Sequence, residues 1–137
     1  MLPDDGTGGQ GGAVIGYLAA AAGGALGALG RWGVAEALPR DAGGWPWATL
    51  LVNLAGCLVL GLLIGRVLAG SPGPPWLRPF LATGVIGGFT TFSAFAFETV
   101  QLTDAGRPGV ALGYVLASVA GGVLASAVGL LAGRAAA

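Results

Sequence analysis

Asn53, Thr90, Thr91, Ser93 and Ser118 carry hydrogen-bonding groups without fixed charge, and each stands in a stretch that is otherwise apolar. A polar side chain in such a stretch is costly in lipid, so it should face a partner or a water-filled path. Hydroxyls and an amide can replace the hydration water of a small solute and still release it. That chemistry suits a small anion or a neutral solute. The stretch "GGFTTFSAF", Gly87 to Phe95, mixes phenylalanine rings with the hydroxyls. An aromatic ring has a negative face and a positive edge, so rings presented edge-on can contact an anion where water is excluded. Phe92 and Phe95 are three apart and share a helical face that Glu98 and Thr99 continue. All five phenylalanines, Phe80, Phe89, Phe92, Phe95 and Phe97, fall in this one segment. Such a stripe also serves plain packing; the adjoining glycines tip the reading towards a site.

Glycine tolerates non-helical dihedrals, and threonine can bond its own backbone, so Gly87 to Thr90 is where a helix can break at mid-span. Carbonyls freed at membrane depth are tolerable only if protein, water or an ion satisfies them. In an antiparallel dimer two such breaks can meet on the two-fold axis and bind a small cation such as Na⁺ through backbone oxygens.

The elements that must position these groups are membrane helices. The chain has 137 residues, 55% of them hydrophobic and only 9% charged, too few charges to cover a water-soluble globule. Four blocks approach spanning length: Ala13–Gly30, Thr49–Gly65, Pro79–Val100 and Gly109–Gly133. The breaks "LPRDAGGWP", "AGSPGPPWLRP" and "TDAGRP" are dense in Gly and Pro and short, so neighbouring helices should run antiparallel. Trp32, Trp45, Trp47 and Trp76 fall at the expected helix ends, where an amphipathic ring prefers the headgroup layer. Residues 1–12, acidic and Gly-rich, read as a disordered N-terminal tail without the positive start of a signal peptide. Residues 13–134 then form a single four-helix transmembrane domain.

Four spans place Arg66, Arg78 and Arg134 on one side and Arg31, Arg40 and Arg107 on the other. Three against three gives no preferred orientation under the positive-inside rule, so the chain can insert both ways up and pair as an antiparallel homodimer. Gly23 with Gly27, Gly61 with Gly65, Gly109 with Gly113, and Gly129 with Gly133 are spaced for close helix approach, although 28 glycines make some such pairs a matter of chance.

Several functions are disfavoured. There is no basic face for nucleic acid and no histidine for metal binding or proton shuttling. The lone Cys57 in an apolar block reads as a small packing residue. No acid lies deep in any span, which counts against the alternative of a small proton-coupled multidrug exporter of the four-helix, dual-topology type. The clustered mid-span polar residues count against a purely structural membrane protein.

The segments "GGALGALGRW" (Gly23–Trp32), "TLLVNLAG" (Thr49–Gly56) and "GVIGGFTTFSAF" (Gly84–Phe95), with Tyr114 and Ser118 in the last span, resemble the CrcB/Fluc family of fluoride channels over nearly all of the chain from Gly23 onward. The resemblance implies an all-α integral membrane protein of a bacterial plasma membrane. It would have four helices per subunit, a third helix broken at mid-span, and two antiparallel pores in a dual-topology homodimer, or in a heterodimer with a paralogue. It implies a channel, not an enzyme, through which fluoride leaves the cytoplasm passively. On the same footing Asn53 is the polar pore residue, Phe92 and Phe95 the pore aromatics, and Tyr114 and Ser118 pore-lining groups, with Thr91 and Ser93 beside them. Arg31 falls on the family's vestibule arginine and Glu98 on the acid after the aromatic motif, while Gly87 and Thr90 would give carbonyls to a central structural Na⁺. The chain departs from the family pattern at Trp32, Ala94 and Gly122.

Overall fold

A computed structural model describes residues 7–41, 43–68, 70 and 73–136. Helix α1 covers Thr7–Ala37 and α2 covers Trp47–Leu68. The third span opens as a π-helical segment, Pro79–Ile86, continues as α3, Gly87–Phe89, and ends as α4, Phe92–Asp104. Helix α5, Pro108–Ala135, closes the chain. Four of these stretches are long and apolar enough to cross a membrane, and no strand occurs among the described residues.

Every span is longer than its apolar block. A nucleated helix extends cheaply, one hydrogen bond per residue fixed. Helix α1 therefore reaches back to Thr7 and takes in residues 7–12, which the sequence reading gave to the tail; residues 1–6 of that tail lie outside the described ones. At its other end α1 runs on to Ala37, so Trp32 sits within the helix and not at its terminus. Trp45 stands at a helix end as expected, just before α2, where it is half-buried and packs edge-on against Tyr114, ring centres 5.9 Å apart.

Turn chemistry ends the helices where Gly and Pro stand. After α4, Gly106 takes φ +72° while Arg107 N–H donates to Leu102 O at 2.9 Å and Gly106 N–H to Thr103 O at 3.0 Å. This Schellman pattern uses glycine because a Cβ would clash in the left-handed region. Pro108 then starts α5, its fixed φ already helical and its missing N–H one that no helix start would use.

Glycines set the packing. A Cβ on Gly23 would run into Phe80 O, one on Gly27 into Val85 O, and one on Gly88 into Gly24 O, so α1 lies backbone-close along the third span. Likewise Gly61 faces Ser126 O, Gly129 faces Leu58 O and Gly133 faces Leu62 O, which brings α2 against α5. In both cases residue numbers rise together across the contact. The fold is thus two parallel pairs, α1 with the third span and α2 with α5, laid antiparallel to one another. The expected Gly109 and Gly113 pair does not join helices: Gly109 has open space around it, and Gly113 meets the Trp45 ring. A cluster of buried Leu50, Leu102, Ala111 and Tyr114, flanked by Trp45 and Phe95, ties the end where α2 and α5 begin and α4 finishes.

Candidate anion path

The third span bends between α3 and α4. Thr90 has φ −77°, ψ 157° and Thr91 has φ −151°, ψ 116°, both extended, so their peptide groups turn away from the helix ladder. Side chains supply the partners that this turning demands. Thr91 N–H donates to Asn53 Oδ1 at 2.8 Å, and Asn53 Nδ2 donates to Thr91 O at 3.0 Å. The amide of α2 therefore meets both backbone groups of one residue. Thr91 Oγ1 accepts from Ala94 N–H at 3.2 Å, an N-cap for α4, and lies 3.2 Å from Ser93 Oγ. Thr90 N–H and Oγ1 both donate to Ile86 O at 2.9 Å. From α1, Arg31 Nε donates to Gly88 O at 3.2 Å.

Beside the bend lies a cavity of about 320 Å³ between α2, the third span and α5, to which Asn53, Thr90, Thr91, Phe92, Phe95 and Ser118 all contribute. Ser118 Oγ is buried and has no hydrogen-bond partner among the described residues. Asn53 Nδ2 carries two hydrogens, of which Thr91 O takes one. The rings form a series: Phe92 to Phe95 at 5.7 Å, inclined by 51°, then Phe95 to Tyr114 at 5.3 Å, inclined by 54°. Inclined rings offer edges as well as faces to the space beside them. The cavity so combines hydroxyl and amide donors with ring edges and holds no fixed positive charge. Such a surface can exchange hydrogen bonds with a small anion without trapping it.

The series of rings ends on a half-buried polar cluster. Tyr114 Oη donates to Glu98 Oε2 at 2.7 Å, and Thr49 Oγ1 donates to Glu98 Oε1 at 2.8 Å. Both carboxylate oxygens are thereby engaged by hydroxyls. One turn further along α4, Gln101 Oε1 accepts from Arg40 Nη2 at 2.8 Å.

Of the residues singled out from sequence, Asn53, Thr90, Thr91, Phe92, Phe95 and Ser118 share the cavity, and Tyr114 adjoins it through Phe95. Glu98 stands behind Tyr114, and Ser93 is exposed beside Thr91. Arg31 is apart from the cavity, held to Gly88 on the α1 side. Gly87 is exposed at the start of α3. Thr49 was missed as a site residue, although it precedes Asn53 by one helical turn and so shares its face. Cys57 also lines the cavity, which a lone thiol in an apolar block gave no means of foreseeing.

A family model described as "CrcB-like protein, Camphor Resistance (CrcB)" matches residues 18–130. The chain is 49% identical over 118 residues to the fluoride-specific ion channel FluC of Paracoccus denitrificans, covering 86% of this chain and 94% of that one. It is 43% identical over 121 residues to the fluoride-specific ion channel FluC of Bordetella petrii, covering 88% and 93%. With the fluoride-specific ion channel FluC 2 of Thermobifida fusca it shares 47% identity over 108 residues, 78% of this chain and 79% of that one.

Proposed function

Since the chain belongs to the CrcB-like family, we propose that it is a fluoride channel of a bacterial plasma membrane and that the cavity beside Thr91 is part of the conducting path. The observation that carries this reading is the buried, unpartnered hydroxyl of Ser118 in a cavity shared with Asn53, Phe92 and Phe95. A buried donor without an acceptor costs about 1–3 kcal/mol, and a small, hard anion that accepts hydrogen bonds strongly removes that cost. Phe92 and Phe95 turn their ring edges to the ion, Asn53 gives its second N–H, and Tyr114 continues the line towards Glu98. Thr91 and Ser93 orient the start of α4 beneath it. Arg31, at Gly88, adds positive potential near the bend, where it attracts anions without sitting in their way.

The path is completed by a second copy. Phe92 is 78% exposed on the single chain, too much for a ring that must exclude water from an ion. An antiparallel homodimer, which the balanced arginines permit, covers that face and gives two paths. At the two-fold axis, the bend acts as the break of the third helix, and the Gly87 and Thr90 carbonyls would hold a structural Na⁺. Their fit rests on the extended Thr90 backbone, which turns its peptide out of the helical ladder, and on the exposed Gly87, whose usual helical donor, the Thr91 N–H, is given to Asn53 instead. Such an ion supplies charge neutralisation and cross-links the two bends. Fluoride leaves the cell passively, because an inside-negative potential favours anion exit by about 2.3 kcal/mol per charge per 100 mV.

The test is efflux from liposomes loaded with fluoride or chloride, with a potassium ionophore present and a selective electrode outside. Fluoride is expected to leave rapidly while chloride stays. Phe92→Ile and Asn53→Asp should sharply cut the rate, the latter because a carboxylate cannot donate to Thr91 O. Silent liposomes from a well-folded dimer would reject the homomeric channel. Exchange of organic cations for protons would favour an exporter, a reading that the engagement of both Glu98 oxygens by Thr49 and Tyr114 speaks against.

A further inference from the structure

The two ends of the molecule differ in charge. Arg66, Arg78 and Arg134 are exposed where α2 and α5 finish, whereas Glu36, Asp41, Glu98 and Asp104 belong to the other end, beside Arg31, Arg40 and Arg107. Asp4 and Asp5 fall among residues 1–6, outside the described ones. Glycine packing brings two of the arginines together: a Cβ on Gly65 would meet Arg134 N, and one on Gly133 would meet Arg66 N. Arg66 and Arg134 therefore leave touching turns of two parallel helices. From Arg66 an apolar groove of about 210 Å³ runs down between α2 and the π-helical segment, lined by Val59, Leu62, Leu63, Leu81 and Val85.

We propose that this corner binds an anionic phospholipid, its phosphate between Arg66 and Arg134 and one acyl chain in the groove. A guanidinium presents paired donors that match phosphate oxygens, and two of them side by side suit a phosphodiester. A basic residue in a helix's last turn also offsets the negative end of the helix dipole. That role needs neither two adjoining arginines nor a groove opening at one of them. The groove is apolar below its mouth, so a free phosphate would leave it unfilled, while a lipid satisfies the head and the chain together. The groove adjoins the proposed fluoride path at Ile86, which lines both, but its basic mouth at Arg66 lies at the far end of α2 from Asn53.

Native mass spectrometry of the full-length protein in detergent tests it, with dioleoyl phosphatidylglycerol and dioleoyl phosphatidylcholine titrated separately. The dimer is expected to retain phosphatidylglycerol in preference to phosphatidylcholine. Arg66→Gln with Arg134→Gln should weaken phosphatidylglycerol about tenfold and leave phosphatidylcholine unchanged. Leu62→Trp, which fills the groove and spares the arginines, should also weaken it, and Arg66→Lys with Arg134→Lys should give an intermediate loss. Unaltered size-exclusion profiles keep these variants interpretable. Equal retention of both lipids overturns the proposal. So does displacement by inorganic phosphate with no effect of Leu62→Trp, which would mean a bare anion site. Lipid bound to dissociated protomers but excluded from the dimer also overturns it, because a second copy would then fill the groove.

Discussion

At the scale of single residues, most of the polar groups around the bend are committed to structure before any ion is considered. Asn53 spends one N–H and its carbonyl on Thr91, and Thr91 Oγ1 caps α4. What faces the cavity is the remainder: one N–H of Asn53 and the Ser118 hydroxyl. Sequence alone gave the type and depth of these residues, because a polar side chain in an apolar run is conspicuous. It did not give the pairing of Asn53 with Thr91, since their 38-residue separation leaves no local pattern linking them. The Glu98 cluster yields a direct prediction. Tyr114→Phe leaves Glu98 Oε2 without its donor in a half-buried setting and should lower stability by about 1–3 kcal/mol. Denaturant titration of the detergent-solubilised protein measures this, and an unchanged midpoint would mean that the bond contributes nothing.

Elements were legible to the extent that apolar length reveals them. All four spans were visible, but their ends were drawn short, since Thr7–Gly12 and Arg31–Ala37 are helical without being strongly apolar. The pairing of helices was less legible. Spacing flagged four glycine pairs, and only geometry separates those against a neighbouring backbone from Gly109, which faces open space. The distinction is measurable. Gly61→Ala places a methyl against Ser126 O and should destabilise the α2 and α5 contact by about 1–3 kcal/mol. Gly109→Ala should be neutral or slightly stabilising, because alanine is the better helix former. Unfolding titrations of the two variants side by side give the comparison, and equal effects would show that the close approach is not energetically important.

For the whole molecule, the decisive quantity is orientation. The equal arginine tally gives the positive-inside rule no side to prefer, and the proposed antiparallel dimer requires a population inserted both ways up. On a Cys57→Ala background, a single cysteine at Ala136 should be labelled by an impermeant maleimide in about half of the molecules from each side of the membrane. Labelling from one side only would remove the antiparallel dimer and its central Na⁺ together, while leaving the geometry around Thr91 as it is.

The two glycine-packed pairs also bear on how the chain is made. Each pair joins spans that are not consecutive, α1 with the third span and α2 with α5. During synthesis α1 enters the bilayer without its partner, and α2 follows without its own. Neither can dock until two further stretches have emerged from the ribosome. When the third span arrives, Asn53 of the preceding helix is already at membrane depth, so the turned backbone of Thr91 finds its hydrogen-bonding amide waiting. Helix α5, the last span to be made, is the piece that closes the fold.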